Sequence, residues 1–190
     1  MKNYICVFFF LGLVLQSCKS QVTNAPEKMN KQELKAEIQQ TDDSLKIVYA
    51  AFMKDPNQLV PQRLLEKAKS LNLQYYRKFP KDPFAPECLD KYQQLLANDK
   101  NYQQAALYAD TLVQQYPKYP KRASVLLGLG STYDMLLHDS LQVRRYYTML
   151  LNEYPKLDAE TREQLRFRLA HLDLTFDEMI ELQVRNIQEK

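Results

Sequence analysis

The sequence predicts an all-α protein, and three observations predict it. Glycine is scarce, at 3 residues in 190, while Leu, Ala, Gln, Glu, Lys and Arg, which lose least on entering a helix, are abundant. An aromatic-Pro-Lys triplet occurs as Phe79-Pro80-Lys81, Tyr116-Pro117-Lys118 and Tyr154-Pro155-Lys156, at spacings of 37 and 38 residues. Between the triplets, apolar residues recur at the three-and-four spacing of a single helix face. Proline cannot continue a helix but is well placed just past its end, so each triplet reads as a helix stop and a corner.

Taken in order, Lys2 supplies a basic start and Ile5 to Leu15 an almost unbroken apolar run of eleven residues. A bilayer core needs about 20 residues in helical form, so the run suits the apolar region of a secretory signal instead. It ends at Leu15-Gln16-Ser17-Cys18. This resembles the lipobox of bacterial lipoproteins: Leu three residues before the cysteine, a small residue directly before it, and the acceptor thiol. Gln16 departs from the small or aliphatic residue usual at that place. The resemblance implies cleavage that leaves residues 1–17 as the signal peptide, and diacylation of the Cys18 sulfur. Several acyl chains anchor far more firmly than one. An ordinary signal followed by a chance cysteine is the plainer alternative. Residues 18–30 are then the lipidated cysteine and a polar tether, and residues 31–190 a helical domain.

After such a cleavage Cys88 is left as the single free thiol, so no internal disulfide can form and the fold must rest on its core. The remaining 173 residues suffice for one domain with a real interior. The formal charge of +3 falls to +2 with the loss of Lys2, too mild for a nucleic-acid partner.

The helical domain reads as four hairpins. The first pairs a helix over Asp42 to Lys54, carrying Leu45, Val48, Tyr49 and Phe52, with one opened by Pro61 and carrying Leu64, Ala68, Leu71 and Tyr75. The second pairs Leu89, Tyr92 and Leu96 with Tyr102, Ala105, Ala109 and Leu112 across the Asn98–Asn101 turn. The third pairs Leu126, Leu129, Tyr133 and Leu136 with Val143, Tyr147 and Leu150. Thr161 to Leu172 and Phe176 to Ile187 form the last, whose charged end serves as a polar cap. Asp42-Asp43 and Asp139-Ser140 look like helix N-caps.

These units resemble tetratricopeptide repeats, whose first helix runs large apolar, Leu-Gly, Tyr, and whose second runs Ala, aromatic, Pro. Leu126, Leu129-Gly130, Tyr133, Tyr147 and Pro155 fall on that pattern with one residue inserted in the turn. Leu89, Tyr92, Leu96, Ala105, Ala109 and Pro117 fall on it with no insertion. The resemblance implies an α-α superhelix in which Gly130 and Ala105 let paired helices approach closely. The longer period, with aromatic-Pro ending the second helix, is similar to repeat lipoproteins and periplasmic repeat proteins of envelope complexes, such as those of the outer-membrane β-barrel assembly machinery and the Tol–Pal system.

It further implies a groove lined by first helices, with Glu87, Asp90 and Gln94 in one unit, Leu127, Ser131, Asp134 and Met135 in the next, and Arg166 in the last. Asp90 and Gln94, or Leu127 and Ser131, cannot supply the Lys and Asn of the family's carboxylate clamp. Tyr76 and Tyr146 belong to adjacent tyrosine pairs whose members point some 100° apart on a helix, so they are added as partner contacts. For all of these the plainer reading is a solvated helix face or repeat-to-repeat packing.

Chemistry-bearing constellations are few. His138 and His171 lie on separate hairpins with no second ligand at metal spacing, and Cys88 reads as a small buried residue. No catalytic residue, metal site, cofactor or small-molecule substrate is expected. The function expected is a lipid-anchored interaction scaffold with envelope protein partners and no nucleic acid. Family knowledge of lipoprotein sorting, with Lys19 and not Asp after the anchor, places it at the outer membrane facing the periplasm. A cell-wall enzyme, or a direct regulator of one, is the alternative that the many carboxylates keep open.

Overall fold

The computed structural model describes residues 28–188, and among them every regular element is helical. The elements are α1 (Lys31–Lys54), α2 (Gln62–Lys78), α3 (Ala85–Asn98), α4 (Tyr102–Gln115), α5 (Arg122–Thr132), α6 (Ser140–Glu153), α7 (Ala159–Ala170) and α8 (Phe176–Gln188). The signal, Cys18 and most of the tether lie outside the described residues. Among those described, no helix is long and apolar enough to cross a membrane.

Helix boundaries follow from local chemistry. Asn30 accepts from the Glu33 amide at 3.0 Å while the Glu33 carboxylate accepts from the Asn30 amide at 2.8 Å, a reciprocal capping box. α1 therefore starts at Lys31, well before the Asp42 expected from the sequence, and Asp42-Asp43 lie inside the helix rather than capping it. Asp139 does cap, accepting from the amides of Leu141 and Gln142. Asp158 caps α7 through the Thr161 amide. The three aromatic-Pro-Lys triplets fall at the ends of α2, α4 and α6.

A π-helical turn, Tyr133–Leu137, follows α5 directly, and His138 closes it in the left-handed region at φ 53°. Each π turn takes up an extra residue relative to the α-helix, and this rotates whatever follows off the buried face. Leu136, expected inside, is 46% exposed for that reason.

From α1 to α7 each helix packs against the next in sequence. Short corners make consecutive helices antiparallel, so the Lys81, Lys118 and Lys156 corners share one end of the molecule. One apolar cluster, including Leu34, Ile38, Leu71, Tyr75 and Cys88, sits beneath α1, α2 and α3. A larger one, including Leu89, Leu112, Leu126, Val143, Tyr146 and Leu150, joins α3 to α7. Gly130 faces the Tyr147 ring so closely that a Cβ there would overlap the ring edge. Arg168 grips Asp134 with Nη2–Oδ1 at 2.7 Å and Nε–Oδ2 at 2.9 Å, tying α7 to the π turn.

Candidate binding cleft

Two first helices, α3 and α5, stand on either side of α4 and leave an open cleft of about 410 Å³ between them. Asp90, Gln93, Gln94, Ala97 and Asn98 form one wall. Lys121, Ser124, Val125, Gly128, Leu129 and Thr132 form the other, and Ala105, Ala106 and Ala109 of α4 form the floor. Ser124, Gly128 and Thr132 follow one another at four-residue steps, so α5 turns its smallest side chains towards the space. A Cβ at Gly128 would meet nothing within 4 Å. The alanine floor keeps the cleft shallow and wide, and amides and hydroxyls on both walls offer donors and acceptors to an extended chain.

Asp90 is the electrostatic centre of this wall but is not free to bind. It is 4% exposed, and its carboxylate accepts from Tyr119 Oη at 2.8 Å, Gln94 Nε2 at 2.9 Å and Gln93 Nε2 at 3.0 Å. Burial pushes the Tyr119 phenol well above its ordinary pKa, and the hydrogen bond to Asp90 adds to it. Tyr119 thus stays a neutral donor, and the network fixes two glutamines at the mouth of the cleft.

The sequence-predicted positions are distributed over several surfaces. Gln94 and Asp90 line this cleft, Gln94 with its amide turned inward. Glu87 is exposed on a separate proline- and tyrosine-lined hollow at the corners. Leu127 is half-buried against the main core, and Ser131 Oγ lies 3.3 Å from Tyr147 Oη, so both face away from the cleft. On α5 it is Gly128 and Thr132 that line this cleft, and not Leu127 and Ser131. Asp134 and Met135 open on another surface beside Arg168 and Leu172. Asp134, expected to meet a partner, is consumed by Arg168. Arg166 is exposed on α7, next to Arg162 and Glu163.

The tyrosine pairs also need correction. Tyr146 is 1% exposed and donates to Asp110 at 2.7 Å, stacked on Tyr133, while Tyr147 is buried against α5. Both members face inward: Tyr147 lies against Gly130 of α5, while Tyr146 reaches Asp110 of α4 and stacks on Tyr133 of the π turn. Tyr76 is half-buried and donates to Gln115 at 3.0 Å, which joins α2 to α4. Neither tyrosine offers the free aromatic face that a partner would need.

The chain matches no family model, no curated protein and no solved structure.

The remaining chemistry-bearing groups have structural surroundings. Cys88 is fully buried, and burial raises its thiol pKa, with the Glu87 charge adding to the shift, so the reactive thiolate is suppressed. His171 Nδ1 lies 2.8 Å from the Phe167 carbonyl oxygen. Among the described residues, no three His, Cys, Asp or Glu side chains converge to hold a metal ion. Sequence reasoning missed Gln93, Asn98, Ser124, Gly128 and Thr132. The recurrence of small residues at four-residue steps on α5, Ser124, Gly128 and Thr132, is the signal that marks this wall.

Proposed function

We propose that this chain is a non-catalytic scaffold of the cell envelope, anchored through lipid on Cys18 and serving as an accessory subunit of an outer-membrane or periplasmic assembly complex. The eight α-helices among the described residues are read as about four tetratricopeptide-like hairpins forming an α-α superhelix. Sequential packing from α1 to α7 supports that reading. The polar side of the cleft argues for a protein partner, because paired glutamines, Asn98, Ser124 and Thr132 can satisfy the amides of an extended backbone.

The single observation that carries the proposal is the cleft between α3 and α5. It is floored by alanines, faced by an unobstructed Gly128 and edged by side-chain amides that Asp90 holds in place. Enzyme pockets need a convergent acid, base or nucleophile. The groups here are neutral amides and hydroxyls, the Lys121 ammonium at one edge and one carboxylate already saturated by hydrogen bonds.

A photo-crosslinking residue introduced at Ser124 in the full-length chain, irradiated in intact envelopes, tests the cleft directly. The expected result is a discrete crosslinked envelope protein, absent when the same group replaces exposed Leu107 of α4. Crosslinks from Leu107 but none from Ser124 would move the binding surface elsewhere. In parallel, Cys18→Ser is expected to shift the chain from the membrane fraction to the soluble one, and unchanged membrane retention would remove the anchor.

A further inference from the structure

The corner end of the molecule carries a set of exposed lysines, of which only Lys121 also borders the proposed cleft. Lys81, Lys118, Lys121 and Lys156 are all exposed there, and none makes an ion pair or side-chain hydrogen bond among the described residues. The corners that carry them form one continuous surface. Tyr116 Oη donates to the Pro80 carbonyl at 2.6 Å, fastening the second corner to the first. Arg122 reaches Glu153 and, at 3.4 Å, Tyr154 Oη, fastening the second to the third. Of the carboxylates nearby, Asp82 is paired with Lys31 and Glu153 with Arg122, which leaves Glu87, Glu160 and the helix-capping Asp158 as the opposing charges. The turns at the far end are closer to charge balance: Asp55, Asp99, Asp139 and Asp173 sit with Lys54 and Lys100, and Asp99 is paired with Lys69.

A second, independent observation concerns where the chain enters the fold. Lys78 Nζ donates to the Met29 carbonyl at 2.6 Å, and Met29 packs with Tyr75, Phe79 and Phe84 at the first corner. The chain therefore arrives at the corner end. Cys18 lies ten residues before Lys28, and ten residues span at most about 35 Å.

We propose that the corner end is a membrane-facing surface on which Lys81, Lys118, Lys121 and Lys156 contact anionic phospholipid headgroups of the leaflet holding the anchor. This rests on the reading of Cys18 as the lipid attachment site. The occupant is set by charge complementarity and by the short reach from Cys18 to the first corner. A lysine at an anionic surface gains about fivefold in occupancy, and the effect fades within a Debye length of about 8 Å. The four lysines together orient the domain, turning the far end and its turns towards the aqueous side.

Amine modification read residue by residue tests this on the unaltered full-length chain. The chain is reconstituted either in vesicles of phosphatidylglycerol with phosphatidylethanolamine or in vesicles of phosphatidylcholine alone. On the anionic vesicles, modification of Lys81, Lys118, Lys121 and Lys156 is expected to fall about fivefold or more. Lys54 and Lys100, at the far end, should react equally on both, and high salt should restore the corner lysines. Equal modification of the corner lysines on the two kinds of vesicle overturns the proposal and leaves them to a protein partner. Equal protection of Lys54 and Lys100 overturns it too, since no orientation then exists. The mass of the Cys18 peptide from the same digest reports the anchor separately. Protection without lipid keeps the surface and removes the anchor reading, and lipid without protection does the reverse.

Discussion

At the scale of residues, Asp90 shows how a charged group on a predicted groove serves the fold first. Its carboxylate accepts from Tyr119 and two glutamines, so Asp90→Ala should strand the half-buried Tyr119 hydroxyl and cost about 1–3 kcal/mol. A cycle with Tyr119→Phe should recover part of that loss. Strictly additive effects in denaturant melts would show that the pair is not coupled. Asp82 gives a pH dependence of defined sign. The Phe84 amide, then Lys31 and Tyr75, hold its pKa below the ordinary 3.8. A depressed folded pKa contributes stability that is complete above the unfolded value and is lost as pH falls through the folded one. Asp82→Asn should therefore lower the urea midpoint at neutral pH, and the gap from the parent chain should close below about pH 4. A gap that stays constant down to the acid transition would remove Asp82 from this role.

At the scale of elements, much of the helical pattern was legible because it depends on local chemistry. Proline after an aromatic stops α2, α4 and α6 at three of the predicted corners, and Asp139 caps where a short acidic side chain before an apolar run should. Two features escaped for physical reasons. The capping box at Asn30 lies in a largely polar stretch where Met29, Leu34 and Ile38 are the apolar residues near it, too sparse a pattern to mark the start of α1. The π turn after Thr132 changes the phase of the helix, which no fixed 3.6-residue period can represent. The face that α5 turns to the cleft has a related cause: Gly130 and Ser131 both approach Tyr147, and this turns Gly128 rather than Leu127 to the cleft. The contact makes a test. Gly130→Ala should push the Tyr147 ring from its site and destabilise the domain by about 1–3 kcal/mol. Gly128→Ala, facing open space, should stabilise the helix by up to about 1 kcal/mol. Thermal melts giving the two substitutions the same sign would mean that the α5–α6 approach is not tight. If the cleft holds a partner, Gly128→Ala should also weaken its capture while strengthening the fold.

At the scale of the whole molecule, packing of each helix on its sequence neighbours means that no single centre holds the described chain together. Stability should then be distributed in proportion to what each helix buries, and it is distributed unevenly. α3 buries seven residues, from Ala85 to Leu96, including Cys88, Leu89 and Tyr92. α7 buries Leu165 alone, and Met179 is the buried apolar residue of α8 among side chains that are described. Arg168 partly compensates, since its grip on Asp134 fastens α7 to the turn after α5 through a bidentate contact with both side chains about nine-tenths buried. Cutting one partner of such a pair leaves the other charge without its counter-ion. Local opening follows local burial, so amide exchange should be slowest through α3 to α6 and fastest in α8, with α7 between them. Arg168→Ala should raise exchange in α7 and α8 several-fold while changing α1 and α2 little, because those helices pack chiefly on each other and on α3. Exchange rising uniformly from α1 to α8 would instead mean that the chain opens as one cooperative unit, and that nearest-neighbour packing does not divide its stability.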